Sequence, residues 1–222
     1  MRKISGYIIS ILLLLQTLCN AQDTIRFPIN EMKGVRVGID NSKLLFPLIF
    51  SGERMGFEVT ADMHVKGNFF AVSEAGWLNV NLNRQDFHYR QNGFYGKLGI
   101  DFNLLKSRRP YSNDIVYAGA RYAFSTFNHR ANRVIIPGHF WGDAQNQIIP
   151  KNHMTAHWAE ILLGVKAEVL TNLYISLTFR GKFLLSPPKD KYSTPYLIPG
   201  YGFGNSNFVL GINHYVSYNI YF

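Results

Sequence analysis

Along most of this chain apolar and polar side chains alternate one for one, the period of an extended strand whose successive side chains point to opposite faces. The clearest instance is 94–105, where Phe94, Leu98, Ile100, Phe102 and Leu104 oppose Tyr95, Lys97, Asp101 and Asn103. The pattern recurs over 33–40, 55–66, 69–80, 114–127, 157–170, 173–185 and 207–222, which predicts eight strands. It is weakest in 69–80. In the last stretch Phe208, Leu210, Ile212, Val216, Tyr218, Ile220 and Phe222 share one face, with His214 as its polar member.

The connections between these stretches differ in length in a regular way. They are long at 41–54, short at 67–68, long at 81–93, shorter at 106–113, very long at 128–156, two residues at 171–172 and long again at 186–206. All nine prolines fall outside the eight stretches, as pairing on both sides of every strand requires. Short turns at one end and long loops at the other predict an all-β fold, an eight-stranded antiparallel up-and-down transmembrane β-barrel with both termini on the short-turn side. Each apolar face covers about ten positions, and at roughly 3.3 Å per residue and a tilt near 40° it spans about 25 Å, the height of a lipid-facing band.

Composition agrees with this pattern. Charged residues make up 17% of the 222 positions, against about a quarter in soluble domains, and aromatic residues 15%. Arg2 and Lys3 precede an apolar run over 7–15, and Cys19, Asn20 and Ala21 follow, the order of a secretory signal. We expect a signal peptide at 1–21, a periplasmic segment at 22–32 and the barrel at 33–222. Removing 1–21 takes away two cations and no acid, lowering the formal charge from +9 to +7. Cys19, the single cysteine, leaves with the signal, so disulfide and thiol chemistry are excluded. No later run approaches the 20 or so apolar residues of a membrane helix; the longest, 44–50, is interrupted by Pro47. A membrane protein of this sequence must cross as strands closed into a barrel.

Alternation alone also fits a soluble lipocalin-like barrel, whose faces are reversed. The export signal, the aromatic final strand and the glycines on the polar faces (Gly38, Gly99, Gly119, Gly164 and Gly211) favour the membrane. With polar faces inward, the lumen holds Arg36, Lys97, Arg121, Lys166, Arg180 and Lys182 together with Asp40, Glu58, Asp62, Asp101, Glu160 and Glu168. Eight strands leave an interior that side chains fill. Buried charges must pair. The expectation is therefore an occluded, salt-bridged plug, with the excess positive charge in the loops. Arg108 and Arg109, in a short-turn-side connection, read as a solvated turn.

Candidate chemistry is sparse. His153 and His157 have the spacing of one helical turn, yet no Cys, Asp or Glu ligand pattern accompanies them, so no metal site is expected. Ser125 with His129, and His214 with Ser217, lack an orienting third group, and the second pair faces opposite sides of its strand. No catalytic residue, cofactor or nucleic-acid partner is expected. A lipid-modifying enzyme is the alternative reading of the same chain.

With the strands placed, the chain resembles the OmpA-like and OmpX-like eight-stranded outer-membrane barrels. The stretches GVRVGID (34–40), AHWAEILLGVKAEVLTNLYISLTFRGKFLLS (156–186) and SNFVLGINHYVSYNIYF (206–222) are similar to an uncharacterised outer-membrane barrel family of the Bacteroidota. The resemblance implies the outer membrane of a Gram-negative bacterium, contact with its lipid and lipopolysaccharide, and delivery by the barrel assembly machinery through an assembly signal at Tyr218, Ile220 and Phe222. It transfers no catalytic or binding residue. The long basic, aromatic loops are left to meet a surface ligand.

Overall fold

The structure is a computed structural model and describes residues 34–44, 53–83, 87–105, 114–136, 145–188 and 194–221. The chain forms β1 (Gly34–Asp40), a single helical turn α1 (Asn41–Leu44), β2 (Arg54–Lys66), β3 (Phe69–Asn83), β4 (Phe87–Asn103), β5 (Ile115–Ile136), β6 (Gln145–Leu170), β7 (Leu173–Ser186), a small hairpin of β8 (Leu197–Ile198) and β9 (Gly202–Phe203), and β10 (Phe208–Tyr221). The eight long strands pair antiparallel in the closed order β1-β10-β7-β6-β5-β4-β3-β2. β1 seals the ring, its Val37 pairing with Tyr218 of β10 on one side and Ala61 of β2 on the other. The expected signal and N-terminal segment, residues 45–50, Arg108, Arg109 and Phe222 lie outside the described residues.

At the short-turn end the chain reverses at Gly67 (φ 59°) and at Asn172 (φ 68°), which occupy the left-handed region that glycine and asparagine tolerate best. The turns at 67–68 and 171–172 are as short as expected. The other end differs from the expectation. β3 runs on to Asn83, β4 starts at Phe87, β5 continues to Ile136 and β6 begins at Gln145, so most of 128–156 is strand and not loop. Pro150 therefore lies within β6. It sits where the register slips, His129 pairing with Asn152 but Ala131 with Ile149, and such an irregularity accommodates a residue without an N–H.

These extensions escape the sequence reading because the polarity of the two faces exchanges along the same strands. In the band nearer the short turns the exterior is apolar: Leu98, Ile161, Leu163, Ile212 and Leu210 are each more than half exposed, Leu210 to 76%. Higher up, Asn81, Arg90 and Asn92 are exposed while Val80, Leu82, Tyr89, Phe127 and Met154 are buried inside. A search for apolar residues on one constant face sees a strand end where only its surroundings change. β3 alternates weakly for a different reason. Its outward residues Ser73 and Ala75 are small and leave a trough of about 550 Å³ in the outer wall, between Val59 on one side and Leu98 and Tyr122 on the other.

Candidate functional site: the filled lumen

Parity along the strands sends the charged residues inward. Arg36, Asp40, Glu58, Asp62, Lys97, Asp101, Arg121, Glu160, Lys166 and Arg180 are all buried. At the short-turn end Arg36 Nε donates to Asp62 Oδ1 at 2.6 Å, and Lys166 donates to the other oxygen of the same carboxylate. The Arg36 guanidinium stacks between the rings of Phe70 and Tyr174, 5.0 and 5.1 Å from their centroids. Placing a planar cation between two faces offsets part of its desolvation.

The centre is organised by a residue outside the expected set. Glu74 accepts from Lys97 Nζ at 2.9 Å, Arg121 Nε at 3.3 Å, Arg180 Nη1 at 2.9 Å and Arg180 Nη2 at 2.8 Å. Arg121 also reaches Asp101 at 2.7 Å, and Arg180 reaches Glu160 at 2.7 Å. Above this layer Glu58 accepts from Tyr215 Oη at 2.5 Å, Tyr95 Oη at 2.7 Å and Lys97 Nζ at 3.2 Å, and pairs with Lys43 of α1. The sequence reading overlooks Glu74 because its strand alternates weakly, and Lys43 because the residues after β1 read as loop. Glu74 shares the inward parity of Phe70 and Val72, and that signal could have found it.

Two expected members behave differently. Lys182 is half-buried, and its ammonium donates to the carbonyls of Gly200 at 2.7 Å and Tyr201 at 3.1 Å rather than to an acid. Glu168 is half-buried near the short turn, where its carboxylate accepts from the backbone N–H of Asn172 at 2.9 Å. Asp40 caps the first residues of α1, accepting from the Ser42 N–H at 2.9 Å, and takes Asn213 Nδ2 at 2.5 Å. Between Asp62, Glu74, Asp101, Arg121, Lys166 and Arg180 the remaining cavity measures about 20 Å³, room for about one water.

The upper lumen is closed by the chain itself. The connection carrying β8 and β9 turns into the barrel, burying Ile198 and Tyr201 against Trp158, Phe127, Met154 and Tyr95, and Leu197 against Val80, Leu82 and Tyr89. Its backbone is held by Gln91, whose Nε2 donates to Leu197 O at 2.7 Å, and by Lys182. Gly200 has φ 80°, and a Cβ there would stand 2.6 Å from the Tyr95 ring, so this bend and the aromatic below it fit only around a glycine. Gly164 is crowded in the same way by Tyr117, consistent with small residues on the inward faces.

The remaining candidates do not assemble. Ser125 and His129 both lie on β5 and both face inward, but four residues along a strand separate them by about 13 Å, beyond hydrogen-bond reach. Ser125 Oγ instead donates to Phe94 O at 3.2 Å. His153 and His157 are likewise four apart along β6 and not on a helical turn; His153 contacts Thr126 and His157 contacts Tyr122, at 3.2 and 2.9 Å. His214 points outward and Ser217 inward, as their parity requires. Tyr218 and Ile220 face outward on β10. No group of three metal-binding side chains occurs among the described residues.

A family model covers residues 3–222 of this sequence. The chain belongs to DUF6048, a domain of unknown function. No curated protein matches it. Among solved structures it is similar to a major outer membrane protein from Thermus thermophilus, at 10% identity and a TM-score of 0.47, over 84% of this chain and 98% of that one. It is also similar to Neisserial surface protein A, at 8% identity and a TM-score of 0.38, over 85% of this chain and 94% of that one.

Proposed function

We propose that this DUF6048 chain is a non-enzymatic outer-membrane barrel of a Gram-negative bacterium, an anchor with an occluded lumen that raises the long strands β3 to β6 above its lipid-facing band on the outside of the cell. The carrying observation is the sign of the two faces. An apolar exterior continuous around all eight strands encloses an ionic interior. A soluble carrier needs the reverse, since exposed apolar patches on soluble monomers rarely exceed a few hundred Å². In hydrocarbon the same surface is the favourable one, and a closed ring leaves no unpaired backbone edge in the lipid.

The ionic layer argues for an anchor over a channel. Glu74, Arg180, Glu160, Lys97 and Glu58 are linked across the barrel axis, and the about 20 Å³ left beside them is far too small for a hydrated path. Ser125 and His129 stand about 13 Å apart along β5, and His214 and Ser217 face opposite sides of the wall, so neither pair is placed for proton transfer.

Fractionation with heat-shift electrophoresis tests the placement: the protein should sediment with outer membranes and run faster unheated than boiled. In planar bilayers it should give no stable single-channel current. Recovery of the mature protein in soluble form without detergent, or a steady large conductance, would refute this assignment, and a change in lipid A mass on expression would favour the enzyme.

A further inference from the structure

Above the apolar band the outward residues of β3, β4, β5 and β6 stand in register. Asn81 pairs with Arg90, and Arg90 pairs directly with Arg130. The row beneath reads Asn79, Asn92, Asn128 and His153. Lys151 is exposed beside Arg130, where the β5–β6 register slips. Below both rows lie Trp77 and Phe94, paired with each other, and Trp77 Nε1 donates upward to Asn92 Oδ1 at 2.9 Å. Amphipathic rings mark the level where hydrocarbon meets headgroups. Four residues further along a tilted strand, the arginine row stands about 10 Å higher, and the guanidinium stems can bend back toward the interface.

Like charges set opposite one another on neighbouring strands repel. Arg90 Nε donates only weakly, to Asn81 Oδ1 at 3.3 Å, and among the described residues no carboxylate pairs with Arg90 or Arg130. Among the described residues the nearest acid along the row is Glu53, on the far side of Asn81 and two strands from Arg90. In the lumen, by contrast, Arg36, Arg121 and Arg180 each meet an acid at 2.6 to 2.7 Å. An anion held between Arg90 and Arg130 turns their repulsion into attraction, and the planar guanidinium matches phosphate with two parallel hydrogen bonds.

We propose that Arg90 and Arg130, with Lys151 beside them and the asparagine row beneath, bind the phosphate of an anionic lipid of the outer leaflet. This rests on the membrane placement proposed above. The experiment uses the folded barrel in neutral phosphatidylcholine nanodiscs, titrated with diphosphorylated lipid A and read by native mass spectrometry. The double variant Arg90→Gln/Arg130→Gln should bind at least tenfold more weakly, and Arg90→Lys/Arg130→Lys should fall between it and the parent. Lys66→Gln, at the opposite end of the barrel, should bind as the parent does. Lipid A stripped of its phosphates should bind the parent no better than intact lipid A binds the double variant. Equal binding by parent and double variant, equal binding of stripped lipid, or displacement by millimolar inorganic phosphate would overturn the site. A barrel that never enters the nanodisc overturns the membrane placement as well; one that inserts but shows no phosphate dependence overturns this site alone. Heat-shift electrophoresis of each variant confirms that the barrel has formed before binding is compared.

Discussion

Replacing Glu74 by alanine removes the acceptor of hydrogen bonds from Lys97, Arg121 and both terminal nitrogens of Arg180. Breaking a buried ion pair by deleting one partner costs about 3–5 kcal/mol, because a charge is left without compensation in a medium that solvates it poorly. Here each cation keeps a second acid: Arg180 has Glu160 at 2.7 Å, Arg121 has Asp101 at 2.7 Å and Lys97 has Glu58 at 3.2 Å. The loss should therefore sit at the lower end, about 3 kcal/mol, read as a shift in the urea midpoint of the barrel refolded in phosphatidylcholine vesicles. Removing a cation together with the acid tests the cause. Glu74→Ala/Lys97→Met restores the balance of charge, so its cost should fall short of the sum of the single costs by more than about 1 kcal/mol. Added salt should hardly alter the single-variant loss, since buried pairs are poorly screened. A loss under about 1 kcal/mol, or strictly additive single costs, would refute the idea that this carboxylate is the hub of the lumen.

Other consequences can be measured on the same preparation. Ile198→Ala opens a cavity in the upper core, where Ile198 is 1% exposed, and should cost about 2–4 kcal/mol in the urea assay. Gly200→Ala forces a Cβ into the Tyr95 ring at positive φ and should destabilise the inner connection by at least about 1 kcal/mol, seen as faster protease cleavage within 187–206 while the barrel itself stays intact. Excising 195–205 with a short glycine bridge should leave the planar-bilayer current at background, because the ionic layer around Glu74 lies below that segment; an open channel would show that the connection, and not the salt bridges, closes the lumen.

How much of this is legible in the sequence depends on what each residue's neighbours are. Where one face meets a uniform apolar exterior, as at Leu98, Ile161 and Leu210, the parity of the chain reveals both the strand and its inward charges. Where the exterior turns polar, the same strand reads as loop, and so the alternation stops at 127 and resumes at 157 although β5 and β6 pair onward to Ile136 and from Gln145. Membership of the charge network follows from parity; its pairing does not. Arg180 finds Glu74 across 106 positions of sequence and Arg36 finds Asp62 across 26, distances that only closure of the ring determines. The inward fold of 194–206 has no period to read. Its one clue is composition, since Leu197 and Ile198 between Pro195 and Pro199 are unusually apolar for a segment expected to meet water.

The strands are far from equal: β1 has 7 residues and β6 has 26. The upper rim is consequently oblique, standing tall along β5 and β6 and dropping away at the β1–β10 seam. A cylinder of even height looks the same from every direction in the plane of a membrane; this one has a front and a back. Visitors approaching laterally would meet a high wall of paired strand on one side and a low sill on the other, so the azimuth of approach, as much as its height, would decide what they can touch.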